Sequence, residues 1–449
     1  MTAVEGSHST VGQVLELVRA RAASAEAEVV VDRGLAALTR FANSFIHQNV
    51  AEEKSHVLLR VALDGHVATV ALDGPLDGEH LTRLVDNAFD AARAQPLDPG
   101  WPGLTQPTRT VLVDHWDEAT AFATPDDRAQ RVADFVAAAD ALETAGFCSS
   151  HSSLVNYHNT AGHVVVGRTT SASIDGIART ATSDGSGRHA SFRLADLDGA
   201  RVGARAAQKA RASSNPTDLE PGRYEVVLEP DCVGNILSFL LVHGFNGKAV
   251  EEGRSFVRLG EAQFDPAITL RDDVTDPLTV GIGFDVEGTP KRPLDLVRDG
   301  ITSGILHNRR TAKAAGAEST GHAVEGGGPW GALGANLNLA GGSATEDELV
   351  AGVERGVLVT DFWYTRILDP RTQVVTGLTR NGVWLIEDGQ IVRPLTNLRF
   401  TQSFLDALGP GAVRAASRDQ ALIFAGWESR YVVPSLHLAS WNFTGGAKG

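Results

Sequence analysis

The chain is expected to be an α+β protein, with an N-terminal α/β domain of helices on a mixed or antiparallel sheet and a mostly β, barrel- or sheet-like C-terminal domain. Three observations predict this. Helix-period segments are interleaved with strand-like runs over the first 212 residues. A polar stretch with two prolines, residues 213–222, then breaks the chain. Beyond it, residues 223–449 carry short strands and glycine turns with few helices. At 449 residues the chain is too long for one ordinary core, and two domains joined by that linker suit its length.

In chain order, Val11, Val14, Leu15, Val18 and Ala22 recur at helical spacing, so residues 11–27 start as an amphipathic helix. Short strands are expected at 29–31, 35–39 and 40–49, and residues 57–63 pair with 67–72 across Asp64-Gly65, a strong hairpin signal. Residues 79–94 form a helix that ends before Pro96. A second helix, 125–145, shows Val132, Phe135, Val136 and Ala139 on one face. Residues 147–153, 154–158 and 164–170 read as a meander, and 200–212 as an alanine-rich helix. His158 and His163 flank a turn without a third ligand in view, so both are taken as structural.

Composition excludes several classes. Lys and Arg number 40 against 55 Asp and Glu, a net charge of −15 with no basic block, so nucleic acid is not an expected partner. Two cysteines at unrelated positions form no disulfide framework. The start has no basic and apolar leader pattern, and no apolar run approaches the roughly 20 residues that span a bilayer. A cytoplasmic protein without membrane contact is the expectation.

Residues 234–244 read GNILSFLLVHG, an apolar helix after the strand-like residues 224–230. His243 is either a polar residue near a helix end or a residual metal ligand. Asp285 and Glu287 in GFDVEGTP (283–290) are either a carboxylate pair or, with Gly288 and Pro290, a turn device. The glycine-rich residues 326–342 lack the Gly-Lys-Ser/Thr ending of a P-loop and no dinucleotide fingerprint surrounds them, so nucleotide binding is rejected. Glycine there can instead let backbone approach an extended substrate. Thr345 is a plausible N-cap for residues 346–350, and Asp388-Gly389 a type I′ turn within 377–392.

The order and spacing of these segments, with the ending 426–435 around Val433-Pro434, resemble the TldD/PmbA family of metalloproteases. The resemblance is continuous from Tyr224 to Ser435 and looser before it. Catalytic members carry His-Glu-x-x-x-His where this chain has Ser238, Phe239 and His243. It implies that the first zinc ligand and the general base are replaced, because a serine hydroxyl is a poor neutral ligand and a phenylalanine carries no proton. The family's metal-binding cysteine near the C-terminus has no counterpart, since the only cysteines are Cys148 and Cys232; Trp427 or a neighbour stands there. Leu333 replaces an arginine of zinc-bearing relatives. Spacing adds a constraint: residues five apart on an ideal helix point about 140° from each other, so the motif needs a distorted or ending helix.

The resemblance implies a PmbA-like (TldE-like) subunit that holds no zinc of its own, catalytic residues none. Zinc is expected on a TldD-like partner, in a heterodimer or higher assembly that processes or degrades unfolded peptides. Gly334, Asn336 and Gly342 would lie near the chamber and bind substrate. Two alternatives stay open: a metallopeptidase whose site is rebuilt from His243 with Glu251, Glu252, His307 or His322, and a non-catalytic peptide-binding or structural homo-oligomer.

Overall fold

A computed structural model describes residues 3–424 and 429–446. The first helix, α1 (Ala3–Arg21), begins earlier than its apolar repeat and stops before residue 26, where β1 starts. The strands expected as short pieces are long and continuous: β1 (Glu26–Ala42) and β2 (Phe45–Leu63) form one hairpin. Its turn, Asn43 and Ser44 at φ 49° and 64°, lies inside the phrase expected as a strand over 40–49. Asn and Ser tolerate this left-handed turn without a glycine to announce it. The Asp64-Gly65 turn joins β2 to β3 (His66–Asp73) as anticipated, with φ of 51° and 83°.

Helices α2 (Gly78–Ala94), α3 (Glu118–Ala121) and α4 (Pro125–Ala138) follow. The helix expected over 125–145 ends early because Asp140 and Ala141 adopt positive φ and residue 143 already begins a strand. The first sheet is completed by β4 (Glu143–Asn159), β5 (Val164–Arg179) and β6 (Asp184–Ser191), in the order β3-β2-β1-β4-β5-β6. All its pairings are antiparallel. Alternation along the strands separates two faces. Val29, Val31, Val57, Leu59 and Val61 pack under α1 and α2. Cys148, Ile174 and Phe41 pack with Phe135 of α4 and Val202 of α5 (Gly199–Ala212). Val30, Leu58, Tyr157 and Val165 point the other way and are covered by Phe284, which belongs to the C-terminal half.

The second half builds an eleven-stranded sheet from β7 (Gly222–Leu228), β8 (Leu270–Asp272), β9 (Leu294–Arg298), β10 (Ile301–Thr302), β11 (Asn336–Leu339), β12 (Arg355–Asp369), β13 (Val374–Glu387), β14 (Gln390–Pro394), β15 (Leu398–Ser403), β16 (Val413–Phe424) and β17 (Arg430–Gly446). Because β7 pairs with both β12 and β17, the run β7-β12-β13-β15-β17 closes on itself as a five-stranded barrel. Closure removes the exposed edges an open sheet would leave. Its core includes Val226, Leu228, Val357, Val359 and an aromatic stack in which Phe362 lies 4.6 Å from Phe400 and 5.2 Å from Trp441. The Asp388-Gly389 turn has the two positive φ values of a type I′ hairpin, and Thr345 caps Glu346–Ala351 with a capping box. Among the described residues no helix is long and apolar enough to cross a membrane.

Candidate functional site

Pro230 opens α6 (Pro230–Leu240), where its missing N–H would have had no helical partner anyway. The helix then loosens into a π turn, Leu241–Phe245. Its i→i+5 bonding is the distortion that a five-residue spacing between positions 238 and 243 demands. Two glycines fit the helix into its slot, since a Cβ on Gly234 would lie 1.8 Å from Ile423 and one on Gly244 1.9 Å from Phe256. Asn235, Ser238, Phe239, Val242 and His243 form the half-buried face of this segment, while Ile236, Leu237 and Leu240 are buried.

On that face Ser238, Phe239 and His243 are engaged in other interactions. The Ser238 hydroxyl donates back to the Gly234 carbonyl at 3.0 Å, and the phenol of Tyr431, 2 % exposed, lies near the hydroxyls of Ser238 and Ser429. Phe239 stacks on His243 at 6.1 Å and meets Phe404 edge-on at 5.6 Å. Burial, with Arg254 nearby, pushes the His243 pKa below its ordinary value, so the ring is neutral at pH 7. Asn235 Nδ2 donates to Thr365 Oγ1 at 3.2 Å, which ties the helix to β12.

A catalytic zinc needs about three protein ligands and an open position, and the residues around His243 do not fit one. Among the described residues no three His, Cys, Asp or Glu side chains converge on a common point. Glu251 and Glu252 are exposed, and Glu252 pairs with Arg254. His307 is buried with Nδ1 3.1 Å from Thr311 Oγ1. His322 is buried with Nε2 3.0 Å from Asp272. Cys232 lies inside α6 with its thiol on the Val359 carbonyl, and burial pushes it well above the usual thiol range; Cys148 is pushed up to about 12. Trp427 lies outside the described residues; Ser429, two positions on in the sequence, donates to the Gly334 carbonyl at 3.2 Å.

Near Tyr431 lies a buried polar cluster in which His322 and Asn336 are candidates from the sequence but Asp272 and Lys291 are not. Asp272 meets His322 on one oxygen and accepts the Asn336 N–H at 3.1 Å on the other. Burial pushes Asp272 up, but His322, Lys291 and the Asn336 N–H together hold it below the ordinary carboxylate value. Lys291 donates to Asn336 Oδ1 at 3.2 Å, and the Asn336 amide donates to Thr279 Oγ1 and the Val280 carbonyl. The Asn336 amide is therefore engaged inside the protein, and β11 has β8 on one side and β17 on the other. Gly334 is buried where a Cβ would lie 2.7 Å from Leu241 and 2.9 Å from Asp272. Leu333 is also buried, and the exposed Gly342 donates its N–H to the Ser417 carbonyl. Of these residues Gly334 lies against Leu241 of the π turn, while Gly342 lies against β16 beside Ala416 and Ser417.

The carboxylates at 285 and 287 form a turn. Asp285 Oδ1 accepts the N–H groups of Glu287 and Thr289, both at 2.9 Å, and Gly288 supplies φ 67°. Burial and the adjacent Glu287 push Asp285 up to about 7. Glu287 reaches into the first sheet, where Arg60 and Arg309 pair with both Glu287 and Glu28, and Tyr157 donates to Glu28 at 2.9 Å. His163 is bonded through Nε2 to the Gly288 carbonyl at 2.8 Å, a structural role. No local pattern in the sequence announces Asp272, Lys291, Arg309 or Tyr431, because each acquires its role from a partner far along the chain.

Residues 221–445 match the family model described as the PmbA/TldA metallopeptidase C-terminal domain, about half of the chain. The chain belongs to the PmbA/TldD family. Among the relatives of this PmbA/TldD chain is a metalloprotease of Methanothermobacter thermautotrophicus, 26% identical over 224 residues, 47% of this chain and 46% of that one. A metalloprotease TldD homolog of Haemophilus influenzae is 25% identical over 193 residues, 42% of this chain and 39% of the other. These matches span less than half of the relatives' length. The fold resembles TldE from Thermococcus kodakarensis with a TM-score of 0.86 at 18% identity, covering 97% of this chain and 99% of that one. It also resembles a protein from Thermotoga maritima described as a putative modulator of a DNA gyrase, with a TM-score of 0.83 at 18% identity, covering 96% and 100%. At such identity the likeness establishes the α+β fold alone.

Proposed function

We propose that this chain is a PmbA-like (TldE-like) subunit of a zinc metalloprotease pair, holding no zinc of its own and pairing with a TldD-like chain that does, in a cytoplasmic assembly acting on unfolded peptides. The observation that carries this is the state of the motif positions: the Ser238 hydroxyl is bonded to the Gly234 carbonyl beside Tyr431, and Phe239 stacks on His243 and meets Phe404 edge-on. Among the described residues no carboxylate takes the place of the family's general base at 239, and a neutral His243 alone is not a ligand set. Support also comes from the likeness in fold to a protein named TldE.

In this reading the π-turned helix is retained as a wall of the chamber. Gly334, Asn336 and Gly342 shape that wall, with Asn336 holding β11 against Lys291 and Thr279. The test is elemental analysis of the chelator-treated, zinc-reconstituted chain together with peptide hydrolysis by the chain alone. Zinc content near zero and no chelator-sensitive cleavage are expected, with activity appearing on addition of a zinc-bearing relative from the same genome. About one zinc per chain with cleavage by the chain alone overturns it.

A further inference from the structure

Strand β12 carries a feature that its barrel role does not require. Consecutive residues on a regular strand face opposite sides of the sheet, yet Trp363 and Tyr364 are both exposed, at 45 % and 64 %, with ring centroids 5.3 Å apart in an edge-to-face pair. A bulge between Trp363 and Arg366 makes this possible, and it holds Tyr364 at φ 50°. A bulky residue in the left-handed region is strained, and such strain persists where the surroundings enforce it. The result is two rings presented together on the protein's surface.

Two arginines stand over these rings. The Arg380 guanidinium lies 4.3 Å from the Trp363 centroid and that of Arg366 5.9 Å from Tyr364. Arg366 bonds the Thr365 carbonyl, and among the described residues no carboxylate pairs with either arginine, in a chain with an excess of 15 acids. Leu368, further along β12, is 58 % exposed. The bulge adjoins the site helix directly, because Thr365 receives the Asn235 amide from the same half-buried face that carries Ser238.

We propose that Trp363, Tyr364, Arg366 and Arg380 form a docking site for an acidic segment of an extended peptide substrate, taking an apolar or aromatic side chain on the rings and its flanking carboxylates on the guanidiniums. Arginines stacked on aromatic rings keep their N–H edges free for carboxylates. The patch comprises about five large side chains, which suits a short peptide; a stable subunit contact needs about 800 Å² on each side. Three register shifts along β12 make its backbone a poor template for strand addition, so recognition falls to the side chains. The choice of a peptide as occupant rests on the function proposed above; the geometry of the patch does not.

The test is fluorescence anisotropy of the full chain with labelled Asp-Glu-Phe-Glu-Asp and with its uncharged counterpart Asn-Gln-Phe-Gln-Asn. The acidic peptide is expected to bind about tenfold tighter, and Trp363→Ala to weaken it about tenfold. Arg366→Gln and Arg380→Gln should each weaken it and flatten its salt dependence, while Leu112→Ala, at another exposed apolar residue, leaves it unchanged. Tyr364→Ser serves as a second probe of the rings should Trp363→Ala fail to fold by circular dichroism. Equal affinity for the two peptides, no binding by the unaltered chain, or indifference to both ring substitutions overturns the proposal. So does a Trp363→Ala chain that keeps peptide affinity but no longer co-elutes with the zinc-bearing relative, since the patch is then a subunit contact. Zinc content and lone-chain cleavage are read separately, so failure of the functional reading is distinguishable from failure of this site.

Discussion

His322 Nε2 lies 3.0 Å from the Asp272 carboxylate, with both side chains shut off from water. The pair sits at the centre of the cluster that joins β8, β11 and the segment before the glycine-rich loop. Removing one member leaves the other without its partner in a medium where water cannot replace it. Asp272→Ala is therefore expected to destabilise the chain by about 3–5 kcal/mol, read from urea unfolding at pH 7. Asp272 is held below its unfolded-state pKa, so its contribution is present above that unfolded value and is lost as pH falls through the folded one. The acid limb of the stability profile should flatten in Asp272→Asn.

Arg309 is the second such point. It bridges Glu28 of the first sheet to Glu287 of the second half, all three side chains being buried. Arg309→Leu is expected to cost about 3–5 kcal/mol, and adding Glu28→Gln to recover part of that loss. A thermal-unfolding cycle over the four chains checks this, and simple additivity counts against the coupling.

Restoring the motif letters should not restore a metal site. In Ser238→His/Phe239→Glu the new histidine meets Tyr431, and no further ligand converges with His243 among the described residues. Elemental analysis is expected to find far less than one zinc per chain. Stoichiometric zinc in the double variant shows that a third ligand lies within reach.

Gly244→Ala tests the π turn. The added methyl would sit 1.9 Å from the Phe256 ring, which itself packs against Phe245 and Phe264. A loss of about 1–3 kcal/mol or more is expected from overpacking, measured by denaturant midpoint, and Phe256→Leu in the same chain should relieve part of it.

His243 titrates below its ordinary value, pushed down by burial and Arg254. Its midpoint by NMR is expected under about 6.5, the model-peptide value. A base depressed in the folded state makes stability fall as pH drops through the unfolded pKa toward the folded one. His243→Gln should remove that slope, and an unchanged profile would mean the ring is free in solvent.

The local grammar of the chain was legible where a residue decides its own conformation. Asp64-Gly65 was readable as a hairpin turn, Asp388-Gly389 as a type I′ turn, Thr345 as a cap, and 79–94 as a helix that stops before Pro96. The Asn43-Ser44 turn and the early end of α4 were not, because residues without glycine's freedom take positive φ there only as the long β1–β4 register requires. The resemblance at 238, 239 and 243 set the expectation of a degenerate metal site from the sequence. The contacts that Ser238, Phe239 and His243 make came only from the fold. Tyr431, Asp272, Lys291 and Arg309 are unremarkable in their own neighbourhoods, and barrel closure and sheet-to-sheet packing bring them to Ser238, His322, Asn336 and Glu28. Turn and cap preferences are short-range energies carried by adjacent residues; buried polar pairing is a long-range one, settled only when the backbone has excluded the water that would otherwise compete for each group.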